Sequence, residues 1–275
     1  MPEGHTLFAL ARDLHAAFAG TRPTVTSPQG RFVEGAAQVS GHELLAASSR
    51  GKHLFLEFAG DRFVHVHLGL IGTFTVDEGA WTAEAPVVGA VRMRMVTEAH
   101  VADLRGPTLC AVETPEEVEA VLERLGPDPL RADADPDRAW RRLQRSSRPV
   151  AELLMDQAVL AGVGNVYRSE VLWRHRLSPF TEGRLVRPAS WRLVWDDLVR
   201  LMPLGVATGR IVTVEEQVLE VEAALGRGEV PRLEVRTSSV YKRAGEPCER
   251  CGSRIRTQVV AGRNLFWCGR CQRRR

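Results

Sequence analysis

Cys248-Glu249-Arg250-Cys251 and, sixteen residues further on, Cys268-Gly269-Arg270-Cys271 are two C-x2-C pairs near the end of a 275-residue chain. This spacing sets four thiolates at the corners of a tetrahedron, with a hairpin between the two knuckles. Soft sulfur ligands in tetrahedral array select Zn2+. Two disulfides would use the same four residues, but nothing else in the chain has a secreted character, and thiols stay reduced in a cytosolic setting. A four-cysteine site has no open position. One zinc ion held by Cys248, Cys251, Cys268 and Cys271 is therefore expected to be structural, stabilising a segment too small to bury its own core.

Charge is distributed unevenly around this element. The net value is only +3, but residues 241–275 carry ten Lys/Arg against Glu246 and Glu249, a net of +8, which leaves −5 for the other 240 residues. A basic end of this kind fits a polyanionic partner, and joined to a zinc hairpin it points to nucleic acid. No apolar run approaches the roughly 18 residues of a membrane span. The opening Met1-Pro2-Glu3-Gly4-His5 has neither the basic nor the apolar region of a signal peptide, so a cytoplasmic protein is expected. The fifth cysteine, Cys110, lies among apolar neighbours and reads as an inert buried thiol.

Hydrophobic periodicity divides the rest. Leu7, Leu10, Leu14 and Phe18 recur at helical spacing and Gly20 stops the run, which predicts a helix over 5–19. From about 22 to 112 short alternating runs take over, at 52–58, 63–68, 72–76, 91–96 and 109–112, the pattern of an antiparallel sandwich or barrel. An acidic stretch, 113–137, is punctuated by Gly126-Pro127-Asp128-Pro129, where a boundary is placed. Helical patterns follow at about 136–146, 149–157, 165–175 and 188–208, and 226–237 reads as a loop. The expectation is a multi-domain α+β chain: a β-sandwich with an N-terminal helix (1–126), a helical domain (127–235) and a zinc hairpin (236–275).

Leu154 to Tyr167 ends one helix and begins another through Gly162-Val163-Gly164-Asn165. The glycines reach angles other residues avoid, Asn165 is suited to an N-cap, and exposed amides at a helix start bind phosphate. Ala161-Gly162-Val163-Gly164-Asn165-Val166-Tyr167 followed by the four-cysteine finger resembles the formamidopyrimidine-DNA glycosylase/endonuclease VIII family. The resemblance runs nearly end to end, through Met1-Pro2-Glu3-Gly4, Arg50-Gly51-Lys52-His53-Leu54, His67-Leu68-Gly69-Leu70-Ile71-Gly72 and Tyr241 to Cys271. Pro2-Glu3-Gly4-His5-Thr6 is most similar to the actinobacterial endonuclease VIII-like branch. The helical domain is then expected to be a helix–two-turn–helix domain.

The resemblance implies a bifunctional DNA glycosylase and abasic-site lyase of base excision repair. Pro2, exposed as the terminus when Met1 is removed, is the implied nucleophile. Its secondary amine attacks the anomeric carbon and gives an iminium ion, an electron sink that lets phosphate leave by β- or β,δ-elimination. Glu3 is implied as general acid/base and Lys52 as a proton donor or phosphate contact near the lesion. Arg263, behind a glycine turn, offers a planar fork for phosphate and promotes the second elimination. His67, Asn165 and Tyr241 match phosphate contacts, and Leu70 matches the wedge that fills the gap left by an extruded base. The implied partner is double-stranded DNA carrying oxidised bases or abasic sites, bound by a monomer.

Two departures bear on substrate. His5 and Thr6 stand where the common family start has Pro-Glu. Asp103-Leu104-Arg105-Gly106-Pro107-Thr108 lacks the Arg-x-Phe that the purine-directed branch turns toward the orphaned base. Both favour oxidised pyrimidines such as thymine glycol and dihydrouracil. A catalytically silent damage-binding protein of the same shape would be marked by loss of Pro2 or Glu3. A zinc-ribbon RNA binder would explain the basic end but not Pro2-Glu3 or the Gly162–Asn165 turn.

Overall fold

The computed structural model describes residues 2–79, 81–82, 86–231, 233 and 238–273. The chain forms two compact units, Met1–Arg124 and Leu125–Arg275.

The first unit opens with α1 (Gly4–Phe18). Its buried stripe is Leu7, Leu10, Ala11, Leu14 and Phe18, positions three and four apart, and burying each large side chain contributes about 1.5–3 kcal/mol. β1 (Thr24–Thr26) and α2 (Val33–Val39) follow, then β2 (Leu44–Arg50), β3 (His53–Phe58), β4 (Arg62–His67), β5 (Thr73–Glu78), β6 (Val91–Val96), β7 (His100–Arg105), β8 (Leu109–Glu113) and α3 (Pro115–Arg124). Two four-stranded antiparallel sheets result, in the orders β1-β6-β7-β5 and β2-β3-β4-β8. Alternation decides which face of each strand enters the core. Leu54, Leu56 and Phe58 of β3 and Val64 and Val66 of β4 are buried with Met93, Met95, Ala102 and Leu104 of the other sheet. His53, Phe55, Glu57, Phe63, His65 and His67 therefore share the opposite face. Cys110 packs against the core, and burial pushes its thiol up to about 12, in keeping with an inert residue.

The second unit holds α4 (Pro136–Gln144), α5 (Val150–Leu153), α6 (Asn165–Arg174), α7 (Pro188–Thr208) and α8 (Glu215–Gly226), then the hairpin β9 (Ile255–Val260) and β10 (Arg263–Cys268). Its core joins Leu143, Leu153, Leu154, Tyr167, Leu172, Trp191, Trp195, Leu198 and Leu201, with Leu265 and Trp267 of β10.

Several sequence expectations are corrected. The helix expected over 149–157 is the single turn α5, because side chains capture the amides a longer helix needs. Asp156 Oδ1 accepts from the Ala158 amide (3.1 Å) and Gln157 Oε1 from the Gly162 amide (2.9 Å). α8 covers a stretch assigned no element, and α3 lies inside the acidic stretch, where Thr114 and Glu117 exchange backbone-to-side-chain bonds as a capping box. Of the loop expected over 226–237, residues 232 and 234–237 lie outside the described residues.

Candidate functional site

At the start of α1, Pro2 is half-buried and Glu3 fully buried. Glu3 is the N-cap residue in extended backbone (φ −122°, ψ −179°), and its carbonyl accepts from the Thr6 amide at 2.9 Å. A glutamate at a helix start is ordinarily exposed, so a carboxyl sealed from water beside Pro2 is the less ordinary arrangement. His5, one turn in, is also buried, and burial lowers its imidazole to about 4, so it is neutral at physiological pH.

Lys52 occupies the two-residue loop between β2 and β3, where Arg50 pairs with His53. It acts electrostatically on His53 and His67, so Lys52 and His67 are brought together at one end of the sheet. His67 is fixed by the loop before β8. The Thr108 amide and hydroxyl donate to the His67 carbonyl (2.9 and 3.0 Å), and Thr108 Oγ1 lies 2.9 Å from Nδ1. The Gly69 amide donates to Nδ1 at 3.1 Å, which makes that nitrogen an acceptor and leaves the proton of the neutral ring on Nε2. Burial first, then Lys52 and His65, lowers the His67 pKa, so the ring offers phosphate a neutral N–H donor.

Leu70 and Ile71 form the tip between β4 and β5, 46% and 85% exposed. The sheets leave no core position at this tip, and two glycines make it possible. Gly69 has φ +68°, and a Cβ there would meet Thr108 Cγ2 at 2.4 Å; one at Gly72 would meet the Leu68 carbonyl oxygen at 2.2 Å. The exposed Ile71 beside Leu70 was passed over in the sequence, although their adjacency in a glycine-bounded turn was readable.

In the second unit α6 organises the candidate contacts. Its N-cap is Gly164, not Asn165, which is the first helical residue. The Asn165 side chain is spent instead on tertiary bonds: Oδ1 accepts from Arg168, and Nδ2 donates to the Asn264 carbonyl at 2.9 Å. That bond ties the start of α6 to the residue after Arg263. Of the two turn glycines, Gly162 is at φ +85° while Gly164 is at φ −124°. The turn is buried, and Gln157 takes the Gly162 amide, so it is not the open amide cradle that the sequence implied.

Glu170, fully buried in the middle of α6, accepts four hydrogen bonds. Oε1 takes the Val240 and Tyr241 amides (2.8 Å each), and Oε2 takes the Ser239 amide (2.8 Å) and the Thr213 hydroxyl (2.7 Å). Tyr241 is thus set by its own backbone, with its ring edge-on to Phe266. At the end of α6, Trp173 Nε1 donates to Cys248 Sγ (3.4 Å), and Arg250 stacks on Trp173 (3.9 Å) while capping the Trp173 and Arg174 carbonyls. The finger is therefore fastened to α6 at its start, middle and end.

The four finger cysteines place their Sγ atoms within 4.8 Å of one another, with 3.4 Å between Cys251 and Cys268 and 4.0 Å between Cys248 and Cys271. A zinc–sulfur tetrahedron of about 2.3 Å bonds has edges of about 3.8 Å, so the set fits one zinc ion. The cysteines are free thiols rather than disulfides. Among the described residues this is the only group of three or more side chains arranged to hold a metal ion. The β9–β10 turn, Ala261 (φ +51°) and Gly262 (φ +71°), has both central residues in the left-handed region that such a two-residue turn requires. It presents Arg263, whose guanidinium has no ion pair or hydrogen bond among the described residues. The basic end is less open than its charge implies, because Arg243 pairs with Glu246 and Glu249 and Arg250 is absorbed by Trp173.

Comparison with known proteins covers both units. The family model for the formamidopyrimidine-DNA glycosylase N-terminal domain matches residues 1–110. Those for the formamidopyrimidine-DNA glycosylase H2TH domain and for the zinc finger found in FPG and IleRS match 125–216 and 245–274. The chain belongs to the formamidopyrimidine-DNA glycosylase family, within its endonuclease 8 group. It is 49% identical over 276 residues to Endonuclease 8 1 of Mycobacterium tuberculosis, covering 99% of this chain and 100% of that one. It is 34% identical over 290 residues to the DNA-(apurinic or apyrimidinic site) lyase Nei2 of Mycolicibacterium smegmatis, covering 99% of each. A solved complex of Lactococcus lactis Fpg with abasic-site DNA shares the fold, with a TM-score of 0.80 at 22% identity, over 99% of this chain and 100% of that one.

Proposed function

We propose that this chain is a bifunctional DNA glycosylase and abasic-site lyase of base excision repair, acting on double-stranded DNA. The observation that carries the reading is the Pro2–Glu3 pair at the head of α1, its carboxyl buried, in a chain that matches lesion-processing relatives over its whole length. With Met1 removed, the Pro2 amine attacks C1′ of the damaged nucleotide and the bond from C1′ to the base breaks, the base leaving with a proton; opening of the C1′–O4′ bond, with Glu3 handling the proton at the sugar or base, gives the iminium ion. An α-amine titrates near pH 8, so a useful fraction is neutral at physiological pH. The iminium ion acidifies the neighbouring C–H, and phosphate leaves by elimination. Lys52, His67, Tyr241 and Arg263 hold phosphates around the lesion, Asn165 sets the hairpin beside Arg263 through its bond to the Asn264 carbonyl, and Leu70, with Ile71 beside it, fills the space of the extruded base.

Oxidised pyrimidines are the favoured substrates. No phenylalanine stands in the 103–108 loop, and Thr108 there is committed to His67. Among the described residues no helix is long and apolar enough to cross a membrane, in keeping with a cytoplasmic enzyme. Borohydride reduction in the presence of abasic-site duplex is the test. A covalent adduct is expected that maps to Pro2, is absent when a tag blocks the terminus, and forms without loss of zinc. Absence of an adduct with the processed native terminus overturns the reading. Duplexes with single defined lesions then decide substrate: faster release of thymine glycol than of an oxidised purine is expected.

A further inference from the structure

Helix α6 closes on an unusual residue. The Leu177 amide donates to the Leu172 carbonyl (2.9 Å) and the Arg176 amide to the Trp173 carbonyl (3.1 Å), the paired bonds of a Schellman turn. That turn puts Arg176 in the left-handed region (φ +53°), where glycine is the ordinary choice. Ser178 to Thr181 form the next turn, with the Thr181 amide on the Ser178 carbonyl at 3.1 Å. The Val150 and Ala151 amides of α5 hold it through the Thr181 and Pro179 carbonyls (2.7 and 3.1 Å). The end of the finger is fastened to the same place. Gln272, 3% exposed, accepts from the Cys268 amide at 2.8 Å and donates to the Leu177 carbonyl at 3.0 Å, which sets Arg273 beside the turn.

With the start of α7, these segments enclose a cavity of about 270 Å³ whose charge is of one sign. Arg176, Arg187 and Arg273 line it, and their guanidinium groups have no ion pair or hydrogen bond among the described residues. No carboxylate lines it. Those of neighbouring residues are engaged, Asp197 by Arg174 and His175, and Glu182 by Arg184. Ser178 lines it too. That residue is 3% exposed, yet its hydroxyl has no partner among the described residues, where a buried hydroxyl ordinarily finds one. Ser190, also in the lining, belongs to the first turn of the 21-residue α7, a turn that opens with Pro188 and holds no acidic residue. The Ala189 and Ser190 amides lie where a helix offers them no internal acceptor, at the positive end of its dipole.

We infer that this cavity is a binding site for a phosphate group. Arg176, Arg187 and Arg273 supply charge from three segments, and the Ser178 hydroxyl and the first amides of α7 supply directed donors. A planar carboxylate would satisfy one guanidinium fork, whereas a tetrahedral phosphate presents oxygens to several sides at once. Three cations gathered around one small volume repel each other, and an anion of up to two charges relieves that repulsion. The site is separate from the phosphate contacts assigned above. Asn165 and the hairpin bearing Arg263 lie at the start of α6, and its ten residues put about 15 Å between that end and this one. The same chemistry has two sources, a free phosphate ion or the backbone of DNA.

Amide 1H–15N spectra of the full-length, zinc-loaded protein, titrated with inorganic phosphate against sodium chloride at equal ionic strength, test the site without reference to lyase activity. Saturable shifts are expected at Ser178, Ala189 and Ser190. Arg176→Gly removes the guanidinium while giving the left-handed position the residue that suits it, so the fold is kept. It should weaken phosphate about tenfold, the scale of one hydrogen bond between charged groups, and Arg187→Ala should do the same. Duplex affinity against salt then identifies the source. If DNA fills the cavity, Arg176→Gly lowers the log–log slope by about 1 and duplex suppresses the phosphate shifts. If free phosphate fills it, the slope is unchanged and the shifts persist in the duplex-bound protein. Absence of saturable shifts together with an unchanged slope overturns the site, as does phosphate binding that both variants leave at native strength. A protein that binds phosphate here but traps no abasic-site adduct loses the lyase reading and keeps this one.

Discussion

Glu170→Gln replaces one atom and should nonetheless loosen the finger. The carboxylate takes three backbone amides and one hydroxyl, and none of these sites is exposed to replacement solvent around the fully buried side chain. A glutamine keeps one acceptor. With its oxygen toward Val240 and Tyr241, the new NH2 faces the Ser239 amide and strands it, at about 1–3 kcal/mol; Thr213 can rotate to accept. Bonds to a charged acceptor fall from about 1.5–3 to about 0.5–1.5 kcal/mol each when the acceptor becomes neutral. The sum is about 4 kcal/mol, a large share of the roughly 5–15 kcal/mol that holds a domain together. For a unit of this size that corresponds to a melting-point drop on the order of 10 °C. Thermal unfolding of the zinc-loaded protein reads the global effect. Hydrogen exchange at Ser239–Tyr241 reads whether the loss is local, and duplex affinity should fall with it as Tyr241 loses its place. A variant within about 1 kcal/mol of native, with unchanged protection at those three amides, would refute the reasoning.

Other expectations are as direct. The His5 imidazole, about 4 when folded against 6.5 ordinarily, binds a proton more readily in the unfolded chain. Stability is therefore full above about pH 6.5 and falls toward pH 4, by at most about 3 kcal/mol, and urea titrations should show His5→Gln flattening that slope. Cys251→Ser should abolish stoichiometric zinc, duplex binding and incision while hydrogen exchange within 2–79 stays native; incision by metal-free protein would contradict the structural role of the finger. Leu70→Ala with Ile71→Ala removes only exposed side chains, so stability should move by less than about 0.5 kcal/mol. Excision from duplex should fall while cleavage of an abasic site in single-stranded DNA survives; equal losses on both would argue against a wedge.

Much of the architecture was legible because it is local. Helical spacing from Leu7 to Phe18 gave α1 within a residue at each end, and Pro188 to Thr208 gave α7 as it stands. Strand alternation from 53 to 67 gave antiparallel sheets, and the resemblance chose the sandwich over a barrel. The zinc set followed from spacing alone, since four thiols with fixed separations leave little geometric choice. The failures were those in which a side chain outbid the backbone pattern. Asp156 and Gln157 unwound the expected helix, and Asn165 left the N-cap to hold Asn264. The capping box of Thr114 and Glu117 was visible but hidden by the acidity of its surroundings.

The residues that set the site, as distinct from those expected to touch DNA, were the least legible, and pairing is the reason. Glu113 meets His65 across 48 residues, and Glu170 meets Tyr241 across 71. Period-two alternation tells which side chains of one strand share a face, but the offset between strands is fixed only when β4 pairs with β8. A carboxylate therefore carries no mark in sequence of whether it will end a histidine row or take three amides from a distant segment. Both facts follow once register is known, and both make a different demand on mutagenesis than a motif does. Replacing Pro2 tests chemistry at one atom. Replacing Glu170 tests the orientation of the Ser239–Tyr241 segment, so such a variant should change rates in steps of one hydrogen bond rather than abolish them.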